Sequence, residues 1–184
     1  MFDLKTALEH YNPLSSHEQQ IKVRMLAFLA SYPDCFERTL EIGHFTASAW
    51  LLNNDETHAL LMHHNKLDMW LQLGGHCDGN KDVLAVAIKE AQEESGIEDI
   101  VPLSSEIFDI DIHLVPAYKH EPAHYHYDVR FLLKVDSVQS FKRNNEAKEL
   151  RWIPAQFHEL PTQERSVTRM FDKWIAQRVI SFLE

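Results

Sequence analysis

The order of apolar and polar residues divides the chain into two regimes. Up to about residue 40 the spacing is helical. A short helix over residues 3–11 is stopped by Asn12-Pro13, and "SSHEQQIKVRMLAFLASYP" opens a second one. There Ser15 or Ser16 is the N-cap, Glu18 stands near the capping-box position, and Ile21, Met25, Phe28 and Leu29 recur at helical spacing before Pro33 ends the run. From residue 45 the period shortens. "FTASAWLLNNDETHALLMHH" sets two strand-like runs around Asn53-Asn54-Asp55-Glu56, a hairpin signal, and "MWLQLGG" is a third short strand entering glycines. A helix over 81–95 follows, then strands in "IFDIDIHLV", "HYHYDVRFLLKV" and "LRWIP", and an amphipathic helix over "RSVTRMFDKWIAQRVISFL". Strands interleaved with helices predict an α/β fold, a mixed sheet with helices packed on it. Residues 1–40 read as a helical extension and 41–184 as the main domain.

Two of the strands alternate sharply. Side chains on a strand point to opposite faces in turn, so His124, His126, Asp128 and Arg130 share one face while Tyr125, Tyr127, Val129 and Phe131 share the other. Asp109, Asp111 and His113 oppose Phe108, Ile110, Ile112 and Leu114 in the same way. Pairing of these strands as a hairpin through 116–123 puts three imidazoles and three carboxylates on one surface, with Arg130 at its end. Three readings stay open: a solvated sheet face, a substrate-reading wall, or an additional transition-metal site at the His113/His124/His126 face. In the second, Arg130 meets phosphate, His124 and His126 stand beside it, and a Tyr or Trp70 lies near a base or sugar. The third rests on neutral imidazole and carboxylate suiting Zn²⁺ or Mn²⁺.

Composition narrows the partners. The 184 residues suffice for one domain with a real core, and the mixture is globular, 45% hydrophobic and 25% charged. A formal net charge of -10 argues against a nucleic-acid duplex as partner. A small phosphorylated ligand needs arginines or a divalent cation against that field. The apolar runs are short for a membrane span. "MFDLKTALEHYNPL" lacks the basic start and apolar stretch of a secretory leader. Two cysteines, Cys35 and Cys77, make no disulfide framework, so a cytoplasmic setting is expected.

The segment from Gly74 to Ile97, "GGHCDGNKDVLAVAIKEAQEESGI", carries the sharpest signal. Glu90, Glu93 and Glu94 fall at i, i+3 and i+4, on one helical face, with Val83, Leu84, Ala87 and Ala91 available for burial. Alone, "EAQEE" also reads as a solvated face. A carboxylate cluster beside a Gly-rich turn suits a hard cation such as Mg²⁺, which takes oxygen ligands. The spacing resembles the Nudix box: G, five residues, E, seven residues, R-E-U-x-E-E-x-G-U, where U is a bulky aliphatic. Gly75, Glu90, Glu93, Glu94, Gly96 and Ile97 match in register. "HHNKLDMWLQLGGH" and "KELRWIP" extend the likeness over roughly residues 45–160. Lys81 stands where the family has its first Glu, Lys89 replaces the Arg, and Ala91 replaces a larger aliphatic.

The resemblance implies an α/β/α sandwich and Mg²⁺- or Mn²⁺-dependent hydrolysis of a diphosphate linked to another group. Glu93 and Glu94 are then metal ligands, Gly74 lends its carbonyl, and Glu90 is ligand or general base, which makes Glu90 and Glu94 the catalytic pair. Glu146, with Glu149 the weaker candidate, is the acidic group a loop delivers to the metal. The expected substrate is a nucleoside diphosphate derivative: a nucleotide sugar, dinucleotide or nucleoside triphosphate. A ligand-binding or regulatory module, weakened by Lys81 and Lys89, is the alternative. A diphosphate isomerase using Cys77 is a third, although the small residue in a turn is the plainer reading of that cysteine. The helical extension forms part of the pocket or a homodimer interface through Ile21, Met25 and Phe28.

Overall fold

The computed structural model describes residues 2–120, 122–137, 140–142 and 144–181. Helices α1 (Leu4–His10) and α2 (Ser16–Ser31) precede the first strand. Asp3 caps α1 by accepting from Lys5 N–H, and Ser15 caps α2 by accepting from Glu18 N–H at 3.1 Å. The Glu18 carboxylate completes no reciprocal box with Ser15. It accepts instead from the Leu14 N–H and the Tyr11 hydroxyl.

Eight strands follow in one sheet: β1 (Gly43–Leu52), β2 (His58–His64), β3 (Trp70–Leu71), β4 (Leu73–His76), β5 (Ile100–Pro102), β6 (Asp109–Val115), β7 (His124–Val135) and β8 (Ala147–Pro154). Helix α3 (Val83–Ser95) lies between β4 and β5, and α4 (Arg165–Ser181) follows β8. The last two residues expected in α4, Phe182 and Leu183, lie outside the described residues.

Strand β1 is the spine. It runs parallel to β7 from Gly43 opposite Tyr125 to Leu52 opposite Lys134. Its other edge is shared: β4 pairs with Thr46–Ala49 and β2 with Leu51 and Leu52, both antiparallel. All ten β1 residues are buried, as a strand paired on both edges and covered on both faces must be. Strand β2 continues to β3 and β8, and β7 to β5 and β6. The single strand expected in "MWLQLGG" is two, because its halves pair with different partners. Strand β5 was not expected; three residues are too few to show alternation.

Two apolar clusters sandwich the sheet. Helices α1, α2 and α3 close one over Phe45, Ala47, Val129 and Phe131, and α4 closes the other over Trp50, Leu52 and Phe108. Ile21, Met25 and Phe28 are buried in the first cluster, where Phe28 stacks on Tyr127 at 3.9 Å. They pack within the chain, which corrects the expected dimer face. Among the described residues no helix is long and apolar enough to cross a membrane.

Charges join the layers at the β6 edge. Asp109 is fully enclosed and accepts from Arg130 Nη1 at 3.0 Å, Arg169 Nη2 at 2.8 Å and Lys173 Nζ at 2.7 Å. Lys173 also reaches Glu18 at 2.9 Å and the Tyr11 hydroxyl at 2.8 Å. Burial alone would raise the Asp109 pKa, but the Arg169 hydrogen bond and the charges of Arg130, Arg169 and Lys173 hold it below the usual carboxylate value. Removing one member of a buried ion cluster leaves the others uncompensated. Lys173→Met is expected to cost about 3–5 kcal/mol in urea denaturation; a loss below about 1 kcal/mol would show the network to be replaceable.

Candidate active site

The segment from β4 through α3 is held by specific local geometry. Strand β4 ends in Gly74-Gly75-His76, and a turn follows in which Asp78 takes a positive φ of 48° and is gripped by the Arg38 guanidinium. Asp82 caps α3 by accepting from Ala85 N–H at 3.1 Å. Gly96 terminates α3 in the left-handed region at φ 69°, with its N–H on the Gln92 carbonyl. A side chain there is strained, which favours glycine. At Gly75 the reason differs: a Cβ would run into the Glu90 carboxylate. The two glycines that fix the register therefore have separate physical causes.

The glutamates occupy graded environments. Glu94 is buried, and its Oε2 accepts from the Gly74 N–H at 2.8 Å. Burial pushes its pKa up to about 8; the Gly74 hydrogen bond opposes this, and the charges of Glu146, Glu90 and Glu93 add to it. Glu90 is mostly covered beside Gly75, whereas Glu93 is exposed. Lys89 spans them, with Nζ 3.1 Å from Glu90 Oε1 and 2.9 Å from Glu93 Oε2. Among the described residues, the three donors that come within 4.8 Å of one another are His44, His124 and His126, not these glutamates. The acidic set still fits a hard divalent cation. It offers carboxylate oxygens only, and one of them holds its proton against neighbouring negative charge, which a bound cation would relieve.

The remaining expected residues divide. Glu146 is exposed on the segment before β8, its carbonyl accepting from Asn65 N–H, and its charge is felt at Glu94. Glu149 pairs with Arg151 instead. Arg130 does not face an open wall: it is 1% exposed and paired with Asp109, Asp111 and Asp128. That end of the polar face is therefore a buried ion network rather than a solvated surface. Trp70 is half-buried, with His63 stacked on it at 5.1 Å and the Arg151 guanidinium 4.8 Å from its ring centre. His124 and His126 belong to an imidazole cluster that includes His44 and His76, neither of which alternation in the two predicted polar strands could reveal. Burial, reinforced by His76 and His124, lowers the His44 pKa to about 4, and burial lowers that of His126 as well. Cys77 is buried and its thiol pKa is raised by desolvation and then by Asp128, so a reactive thiolate is disfavoured there.

A family model for the NUDIX domain matches residues 43–174. The chain belongs to the Nudix family. The match extends past the 45–160 suggested by motifs to include most of α4. Solved Nudix structures share the fold at low identity. The Ap4A hydrolase of C. elegans, in a binary complex, is 15% identical with a TM-score of 0.54, covering 73% of this chain and 97% of that one. The dihydroneopterin triphosphate pyrophosphohydrolase of E. coli is 12% identical, TM-score 0.55, covering 72% and 95%. The NUDIX domain of Shewanella oneidensis NrtR, complexed with ADP ribose, is 17% identical, TM-score 0.51, covering 83% and 97%. No curated protein sequence matches the chain significantly.

The Glu94 shift makes a prediction with a definite sign. The native carboxyl keeps its proton to about pH 8, against an ordinary value of 4.5. Between those values folding takes up a proton, so stability falls as pH rises through the window. In EDTA, Glu94→Gln is expected to lose less melting temperature than the parent chain between pH 5.5 and 8.5, roughly the span of that shift. Equal losses would contradict a raised native pKa.

Proposed function

We propose that this Nudix protein hydrolyses a pyrophosphate linkage in a nucleoside diphosphate derivative, with Mg²⁺ or Mn²⁺ held by Glu90, Glu93 and Glu94, the Gly74 carbonyl and Glu146. The observation that carries this reading is the buried Glu94, held by the Gly74 N–H and kept protonated by burial and by the charges of its acidic neighbours. When bound, the cation neutralises phosphate charge and lowers the pKa of the attacking water. Glu94 must release its proton to serve as a ligand, and Gly74 holds the carboxylate in place as it does so. Glu90, mostly covered against Gly75, is oriented to act as ligand or to take a proton from water. Glu146, on the segment before β8 and near enough for its charge to act on Glu94, is the further carboxylate. The Ap4A hydrolase and the NUDIX domain complexed with ADP ribose, both similar in fold, support a nucleotide-derived substrate.

A ligand-binding module without turnover is the second reading, and Lys89 favours it. Its single ammonium bridges Glu90 and Glu93 without the planar fork of the arginine that the family carries there. One screen separates the two: nucleotide sugars, dinucleotides, nucleoside triphosphates and coenzyme A, each with Mg²⁺ and with Mn²⁺. Hydrolysis is expected to stop in EDTA and to fall by about 10²–10³-fold in Glu93→Gln and Glu94→Gln, several kcal/mol of charge stabilisation. Tight binding without product release would select the module.

Lys89 yields its own test. It is more than half exposed, so its competition with a cation is screened. Lys89→Met is expected to tighten Mg²⁺ binding by about two- to fivefold, in keeping with an exposed ion pair of ~0.5–1 kcal/mol. Weaker Mg²⁺ binding in calorimetry would mean that the lysine positions the glutamates rather than competing for them.

A further inference from the structure

The sheet face turned away from α3 carries imidazoles that the proposed hydrolysis does not use. His44 on β1 lies opposite His126 on β7, and His126 lies opposite His113 on β6. The ring centres of His44, His124 and His126 form a nearly equilateral triangle with sides of 4.9, 5.0 and 5.1 Å. One donor atom from each lies within 4.8 Å of the other two.

Hydrogen bonds aim these rings. His124 Nδ1 is 2.9 Å from the Pro122 carbonyl, which only accepts, so Nδ1 carries the proton and Nε2 the lone pair. That Nε2 faces the Nε2 of His126 at 3.2 Å. Two nitrogens bound to one Zn²⁺ at about 2.0–2.1 Å stand about 3.3–3.4 Å apart at the tetrahedral angle. His44 is 2% exposed, and neither of its ring nitrogens has a hydrogen-bond partner. The Leu40 carbonyl, which accepts from Gly43 N–H, approaches the ring without completing a bond of ordinary geometry. Folded proteins rarely leave such a group unmatched. His76 lies 5.0 Å from both His44 and His126, and His113 adds a fifth imidazole edge-on to His126 at 5.4 Å, its Nδ1 3.2 Å from an Asp111 carboxylate oxygen. A carboxylate behind a histidine is the arrangement that orients ligand imidazoles.

Imidazole nitrogen suits zinc and its neighbours in the transition series, whereas Mg²⁺ selects oxygen. We infer that His44, His124 and His126 bind one divalent transition ion of the zinc class, separate from the glutamate site, with His76 and His113 flanking the triad. This differs from the set expected from sequence, because His44 rather than His113 completes the closest triad. The ion ties the start of β1 to the start of β7.

The test uses the full chain without a histidine tag, stripped with EDTA. It is titrated with Zn²⁺ against a chromophoric chelator and with Co²⁺ while the visible spectrum is followed. One equivalent is expected to bind, with the intense visible bands of four-coordinate Co²⁺ and a rise in melting temperature. His126→Ala is expected to abolish the signal. His124→Ala, at a half-exposed position that keeps the fold, is expected to weaken binding about a hundredfold. Glu93→Gln, or an excess of Mg²⁺, leaves it unchanged. Absence of stoichiometric binding, or binding that survives both histidine substitutions in folded protein, would overturn the site. Loss of Zn²⁺ in Glu93→Gln in place of the histidine variants would assign the ion to the glutamates and overturn it equally.

Discussion

The fold depends on Asp109 being fully enclosed and fully compensated. An isolated carboxylate in that position would be costly to desolvate. Arg130 from β7 and Arg169 and Lys173 from α4 meet it there, and Lys173 extends the contact to Tyr11 and Glu18 of the N-terminal helices. One charge thus links β6, β7, α4 and the helical extension. Its consequence for the sheet is directional. With Arg130 committed to Asp109, Asp111 and Asp128, the polar face of β6 and β7 is an ion network at one end and an imidazole cluster at the other.

Much of this was legible in local sequence patterns. Caps, the hairpin turn, and the alternation in "IFDIDIHLV" and "HYHYDVRF" are encoded by neighbouring residues, and β6 and β7 pair in the register that alternation suggests, Asp111 opposite Asp128 and His113 opposite His126. What the patterns concealed is long-range. The parallel pairing of β1 with β7 joins segments about eighty residues apart and leaves no local mark. Alternation could show that Arg130 shares a face with histidines, but it could not show that Arg169 and Lys173 cover that face from α4. Likewise His44 looks like an isolated histidine before an apolar run until β7 is laid beside it.

The arrangement of the three glutamates was readable for a related reason. Its geometry is compressed into one strand, one turn and one helix, so spacing alone preserves it. Gly75 admits the Glu90 carboxylate and Gly96 ends the helix, two constraints that require glycine for different causes. Between them the helix repeat places Glu90, Glu93 and Glu94 on one face. The departures from the family change charge at Lys81, side-chain geometry at Lys89 and size at Ala91. Lys89 retains the cation that arginine would supply and bridges two carboxylates with a single ammonium, giving up the planar fork that pairs bidentately.

Strand alternation also separates two kinds of donor. Gly75 turns toward α3 and Glu90, whereas the next residue, His76, turns to the other face and stands 5.0 Å from His44 and from His126. The α3 side offers carboxylate oxygens, the hard donors that fit Mg²⁺ beside phosphate. The opposite side offers neutral imidazoles, kept neutral by burial at His44 and His126, which fit a borderline transition ion. A single ion would not be equally served by both sets. The sheet between them keeps the chemistries apart although their residues are consecutive in sequence, so occupancy on one face need not exclude occupancy on the other.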